Sequence, residues 1–292
     1  FGSLGKIEGN YHKRLRKEGI QCEKFNPMSP IVSGIFNNRD HRKITVIDGT
    51  TGYTGGVNLG DEYINENHKL GHWKDTAIRV RGSAVRGLTS LFLQLYSGSD
   101  ALSESCGRYF PKTGSNLIAA GRGYVNFFGD GPKPAYREYV GEGNYINMIE
   151  CAQRYVYIST PYLITDYSLE SALRNAALRG VDVRIVTPHI PDKRIVFTMT
   201  RSNYAFLMDA GVRIYEYTPG FIHEKALVCD DRLAFVGTIN LDYRSLVHHF
   251  ECGAVLVDAP CISDIKSDFD HILEVSQEIP VDFRMPGYKR LA

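Results

Sequence analysis

The sequence predicts an α/β fold made of two similar lobes, each a mixed β-sheet flanked by helices. Three observations predict it: an internal repeat, a strand–helix alternation in the second half, and a glycine- and proline-rich stretch between the two copies. Residues 41–58 (HRKITVIDGTTGYTGGVN) and 223–240 (HEKALVCDDRLAFVGTIN) place the same five residue types at the same spacing. One offset of 182 (223 minus 41) carries His41 to His223, Lys43 to Lys225, Asp48 to Asp230, Gly55 to Gly237 and Asn58 to Asn240. Five fixed types at fixed spacing arise by chance at about 10⁻⁶ per position, so two occurrences mark a repeated architecture. Upstream, Leu15, Gly19, Ile20, Phe25 and Pro27 match Leu207, Gly211, Val212, Tyr217 and Pro219 at an offset of 192 (219 minus 27). The first copy therefore carries ten extra residues (192 minus 182) before His41, and this insert, with Asn37, Asn38, Arg39 and Asp40, reads as a loop.

The alternation is clearest ahead of the second copy. Arg154–Thr160 is an apolar, aromatic run of strand character. Ser168–Arg179 sets Leu169, Ala172, Leu173, Ala176 and Ala177 on one helical face, with Gly180 where a C-terminal cap belongs. Val181–Thr187 reads as a strand, 201–210 as a helix and Val212–Tyr217 as a further strand, an order that implies parallel pairing through right-handed crossovers. Each motif reads as a hairpin, 41–47 with 52–57 about a turn at Asp48-Gly49, and 223–229 with 233–236 about Asp230-Asp231. Thr76–Val80 and Cys252–Val257 alternate as strands that follow. Glycines and prolines gather between 107 and 135, and Gly-Asp-Gly-Pro at 129–132 reads as a linker turn. This divides the chain into lobes 1–125 and 126–292. Carrying the offset of 192 to Phe1 leaves the first lobe without partners for 154–160, 168–179 and 181–187. An N-terminally incomplete first lobe is therefore expected, its sheet short by about two strands and its edge open.

Composition narrows the partners. A net charge of +1 with no basic stripe argues against a nucleic-acid binder. No apolar run reaches the roughly 18 residues of a membrane span. The six cysteines include no C-x-x-C pair and read as reduced thiols of a cytosolic setting. His223, His248, His249 and Cys252 have no compact zinc spacing, so no metal or other cofactor is expected.

The repeated motif carries the chemistry. Residues i and i+2 of a strand face the same way, so His41 projects with Lys43 and His223 with Lys225. Imidazole, ammonium, the amides of Asn58 and Asn240, and glycine backbone together suit an anionic group with several oxygens, which points to phosphate. Two histidines facing each other across the lobe interface supply a nucleophile on one side of phosphorus and an acid on the other. Asp75 and Glu251 are the candidates to orient the rings, each expected to serve the histidine of its own lobe. Asp48 and Asp230 complete the candidate set, although aspartate in a turn commonly serves the turn itself.

The pattern H-x-K-x₄-D-x₆-G-[GST]-x-N, complete in both copies, resembles the HKD signature of the phospholipase D superfamily. Thr160–Asp166, Arg179–Arg184, Ala210–Tyr217, Gly220–His223, Asn240–Ser245 and Trp73–Thr76 further resemble its bacterial cardiolipin synthase branch. One departure is His249, where that branch usually has asparagine. The resemblance implies a metal-free phosphatidyltransferase that joins two phosphatidylglycerols and releases glycerol through a phosphohistidine. It further implies His41 as nucleophile and His223 as acid, then base. Phospholipid substrates and a membrane surface are the implied partners. The implied setting is the cytoplasmic face of the membrane, with spans in the parent protein that this chain lacks. A hydrolase would use the same residues with water as acceptor. A non-catalytic lipid-binding relative would be marked by a lost motif histidine or lysine, and none is lost.

Overall fold

The computed structural model describes residues 7–25, 38–96, 104–111 and 122–285. Residues 28–37 of the insert before His41 and 112–121 of the stretch between the lobes lie outside these residues. The first half contains helix α1 (Tyr11–Lys17), strands β1 (Ile44–Ile47), β2 (Thr51–Gly55), β3 (His72–Lys74) and β4 (Ala77–Arg81), and helix α2 (Val85–Tyr96). The second opens with β5 (Tyr124–Asp130), α3 (Val140–Cys151), β6 (Tyr155–Ser159), β7 (Leu163–Ile164), α4 (Tyr167–Leu178) and β8 (Asp182–Pro188). It continues with α5 (Arg194–Ser202), α6 (Tyr204–Met208), β9 (Arg213–Tyr217), β10 (Gly220–Ile222), β11 (Ala226–Cys229) and β12 (Leu233–Gly237). It closes with β13 (Leu241–Asp242), β14 (Glu251–Val257), α7 (Ile262–Glu274) and β15 (Ser276–Glu278).

The large sheet has the order β15-β9-β8-β6-β11-β12-β14-β5, with β9, β8 and β6 parallel and the other pairs antiparallel. Every residue of β6 is buried, as expected of a strand covered on both faces. Val156 and Ile158 enter a core shared with α3, α4 and α6, whereas Tyr155 and Tyr157 face Ile262 and Phe269 of α7. Helix α4 forms where the periodicity predicts it. Asp166 caps it by accepting from Leu169 N at 3.0 Å, a contact worth about 1 kcal/mol. Gly180, at φ +91°, leads the chain out.

The first half forms a three-stranded antiparallel sheet, β1-β2-β4. One face carries α2, whose Val85, Leu88, Thr89 and Leu93 are buried at helical spacing. From β4, Ile78 packs into the core that holds Val236 and Leu256 of the large sheet. Strands β1, β2 and β4 correspond to β11, β12 and β14. Among the described residues nothing corresponds to β6, β8 or β9. Helix α1 (Tyr11–Lys17) stands where the upstream match aligns with the helix before Gly211, and Gly19 follows it at φ +82°. Residues 20–25 form no strand, and among the described residues none pairs with them as β8 pairs with β9.

Three local expectations are corrected. The helix expected over 201–210 begins at Arg194 and breaks at Asn203, whose amide donates to Leu163 O at 2.9 Å. Gly-Asp-Gly-Pro at 129–132 is the end of β5 and not a linker turn. The buried Asp130 carboxylate accepts the N–H groups of Gly131, Val140 and Gly141, satisfying the start of α3. Finally, β1 and β11 begin three residues after their histidines, because the chain there pairs with the opposite half.

Candidate active site

Two short parallel pairings join the halves and position the site. Strand β10 lies along β3 with Ile222 opposite Lys74, and His223 N donates to Lys74 O at 2.7 Å. In the mirror arrangement Asp40 bridges Phe250 in parallel, and His41 N donates to Phe250 O at 2.9 Å. Each register sets a histidine beside the first residue beyond its partner segment. That residue is Asp75 for His223 and Glu251 for His41.

The carboxylates are consequently crossed. His41 Nδ1 lies 2.9 Å from both Glu251 oxygens, and His223 Nδ1 lies 2.7 Å from Asp75 Oδ2. The expectation that each carboxylate serves its own lobe is corrected: each serves the other. The physical reason is the parallel pairing, which advances both chains in step past their last backbone bond. An ionised carboxylate only accepts, so each neutral ring donates from Nδ1 and keeps its lone pair on Nε2. Burial, then Lys43 and Lys225, lower the pKa of His41 despite Glu251. Burial and Lys225 push His223 down to about 3 despite Asp75. Burial would raise both carboxylates, but their imidazole and lysine neighbours outweigh it and hold both below the usual range.

Lys43 and Lys225 fold back to donate to the carbonyls of His41 and His223 respectively. Lys225 is fully buried. Desolvation and the neighbouring Lys43 bring it down to about 7, against the pull of Asp75 and Glu251. Two desolvated ammonium groups this close make the site seek an anion. Asn58 donates to Tyr63 Oη. The Asn240 amide oxygen is buried with no hydrogen-bond partner.

Asp48 and Asp230 do not join the site. Both sit at φ +53°, in matching turns where Thr50 N reaches Ile47 O and Arg232 N reaches Cys229 O. The Asp230 carboxylate accepts from the backbone of Gln153, Arg154 and Tyr155 at 2.7–2.9 Å and so anchors the start of β6. Asp48 is exposed and has no side-chain hydrogen bond among the described residues.

Sequence reasoning missed several supporting residues. Thr238 donates its hydroxyl to Glu251, while its counterpart Gly56 leaves room for Asp75: a Cβ there would lie 2.0 Å from Asp75 Oδ1. Trp73 and Tyr63 lie against the His223 ring at 5.2 and 5.4 Å. Glu224, buried between His223 and Lys225, accepts from Ser159 Oγ at 2.5 Å and pairs with Lys74 at 3.2 Å. His249 stands 5.3 Å from His41, ring to ring. Among the described residues, His41, His249 and Glu251 are the group whose ligand atoms, all within 4.8 Å of one another, could hold a metal. The sequence signalled Thr238 and Gly56 through the G-[GST] step, and it marked Trp73 and His249 without showing that they stand beside the two catalytic-site histidines.

Comparison with known proteins shows what the chain is similar to. Residues 145–273 match the family model described as "Cardiolipin synthase, PLD-like domain". The chain is 46% identical over 276 residues to an uncharacterised protein of Streptococcus mutans, covering 94% of this chain and 59% of that one. It is 39% identical over 278 residues to a cardiolipin synthase of Alkalihalophilus pseudofirmus, covering 94% and 54%. It is 40% identical over 269 residues to that of Staphylococcus aureus, covering 91% and 53%. The chain thus spans about half the length of the curated relatives it matches. A solved phosphatidylserine synthase from Haemophilus influenzae shares the fold with a TM-score of 0.60 at 13% identity, covering 82% of this chain and 63% of that one. With both signature motifs complete and crossed in one site, the chain belongs to the phospholipase D superfamily. Its sequence similarities place it on the cardiolipin synthase branch.

Proposed function

We propose that this chain carries the catalytic centre of a cardiolipin synthase-type phosphatidyltransferase. It would transfer the phosphatidyl group of one phosphatidylglycerol to a second, yielding cardiolipin and glycerol. The observation that carries this reading is the pair of crossed histidine–carboxylate contacts. They hold two imidazoles at one interface with Nε2 unprotonated, beside two lysines that donate to backbone carbonyls and, among the described residues, form no ion pair.

In the first step His223 takes up a proton on Nε2 as the anionic substrate binds, and His41 Nε2 attacks phosphorus. The N–P bond forms, the P–O bond to the glycerol headgroup breaks, and His223 gives its Nε2 proton to the leaving alkoxide. An anionic phosphodiester entering between Lys43 and Lys225 raises the proton affinity of His223 for this task. In the second step His223 takes the proton from a hydroxyl of the second phosphatidylglycerol. The resulting oxygen attacks phosphorus and the N–P bond breaks. Lys43, Lys225 and the amides of Asn58 and Asn240 face the charge that builds on the non-bridging oxygens. His41 takes the nucleophile's part because 24% of its side chain is exposed, against 11% for His223.

The reading places the site at the cytoplasmic face of the membrane. Exposed Val57, Leu59 and Ile64, which flank Asn58 and Tyr63, support access from lipid. No described helix is long and apolar enough to cross a membrane. The full-length protein in vesicles of headgroup-labelled and acyl-labelled phosphatidylglycerol tests the reading. Acyl label in cardiolipin with free labelled glycerol supports it. Phosphatidic acid as the main product makes the protein a hydrolase, and no product at all sinks both.

A further inference from the structure

We propose that His41, His249 and Glu251 form a binding site for a divalent transition-metal ion of the zinc class, and that occupancy takes His41 out of action. Their ligand atoms lie within 4.8 Å of one another. His41 Nδ1 is 2.9 Å from Glu251 Oε1, and His249 Nδ1 is 3.5 Å from the same oxygen. The second distance exceeds an ordinary N–H···O bond, and His249 Nδ1 is buried without a hydrogen-bond partner. Zinc binds imidazole nitrogen and carboxylate oxygen at about 2.0–2.2 Å, so three donors around one ion stand roughly 3–3.5 Å apart. The observed separations need only small side-chain shifts to reach that geometry.

The surroundings fit a metal ligand set. Thr238 holds Glu251 Oε2, leaving Oε1 to face the two rings, and such outer contacts orient metal-binding carboxylates. Two imidazoles with one carboxylate favour zinc, nickel, copper or ferrous iron over magnesium or calcium. The ligands bind in their deprotonated forms. Lys43 and Lys225 lie within electrostatic reach of His41 and oppose the cation, which weakens the site without removing a ligand.

The consequence for His41 follows from tautomerism. A metal on Nδ1 replaces the proton shared with Glu251, and the neutral ring then carries its proton on Nε2. The lone pair that would attack phosphorus is lost. The ion therefore acts as an inhibitor of a reaction that does not need it.

The inhibitory part rests on the proposed function, but binding does not, so the test reads binding directly. Full-length protein is stripped with a chelator and titrated with Zn²⁺ against a chromophoric competitor, and separately with Co²⁺ while visible d–d bands are recorded. The expected result is one tight equivalent in the wild type. It is lost in His249→Asn and His249→Phe by more than the roughly 10- to 100-fold that loss of a supporting contact costs. Equal affinity in wild type and both variants overturns the proposal. Should the variants not fold, the wild type decides alone: no stoichiometric Co²⁺ band overturns it equally. A protein that binds zinc but makes no cardiolipin would sink the proposed function and leave this site standing.

Discussion

His41 and His223 occupy equivalent places in the two halves, yet their surroundings have diverged. His223 sits against Trp73, Tyr63 and Phe221, beside the buried Lys74–Glu224 pair. Among the described residues His41 has one aromatic neighbour, His249, and it keeps about twice the exposure. The carboxylates differ in the opposite sense. Glu251 is fully buried and meets His41, Thr238 and His249, whereas Asp75 meets His223 and the backbone N–H of Thr76. The repeat thus preserves the bond that directs each ring's lone pair and leaves everything around it free to specialise. One histidine is clamped by its walls, the other by its carboxylate.

The largest effect should come from the rings themselves. His41→Ala is expected to lose about 10⁴-fold or more of cardiolipin formation, and His223→Ala about 10²- to 10⁴-fold. Turnover on labelled phosphatidylglycerol measures both, and an active His41→Ala protein would break the comparison at its root.

Next come the residues that make room for, or hold, the two carboxylates. Gly56→Ala drives a methyl group into Asp75, and a displacement approaching 1 Å near a reacting group costs about 10²-fold. Thr238→Val removes one donor from Glu251 and should cost about 1–3 kcal/mol of stability. The comparison sharpens if Gly56→Ala acts mainly on turnover and Thr238→Val mainly on melting. Reversed outcomes would mean that the two carboxylates do not play matched parts.

The pH dependence of melting discriminates further. A free histidine titrates near 6.5, and folded His223 is pushed down to about 3. Between these values the unfolded chain takes up a proton that the folded chain refuses. Stability is therefore full above about 6.5 and falls as pH drops towards 3. His41 contributes in the same sense. Replacing His223 with Asn should flatten the melting curve in this window more than the same change at His41, since His223 is the more buried ring. An equal or opposite ranking would show that the walls around His223 do not set its protonation.

The smallest contrast lies in the turns. Asp230→Asn weakens three backbone contacts at the start of β6 and should cost about 1–2 kcal/mol. Asp48→Asn, on an exposed turn, should stay within about 0.5 kcal/mol. Thermal melts of the two variants check this, and equal losses would mean that the Asp48 turn has an anchor of its own.

Much of this was legible in the sequence because it is written in local pattern. The repeat announced both hairpins and their turns, and helix α4 appeared between its aspartate cap and its glycine. The residues that bear on phosphate chemistry all fell within two 18-residue windows or were flagged as their carboxylates. The pairing of those carboxylates was not legible. It depends on the Asp40–Phe250 bridge and on the three-residue strands β3 and β10, which are too short to leave a periodicity and join segments far apart in the chain. His249 looked like a neighbour of His248 and Cys252 when only spacing was visible. Its place beside His41 exists only after the halves meet. Asn203 misled in another way, since the apolar pattern runs through it while its amide is recruited by Leu163.

The crossed contacts also impose an order of events on synthesis. His41 is made before the carboxylate that directs its proton, which follows 210 residues later. Until then His41 lacks the carboxylate that holds its tautomer. His223 arrives to find Asp75 already made, yet it depends on a segment that must first be gripped by β10. On the proposed function, the crossed site is therefore complete only once both halves have been made and paired.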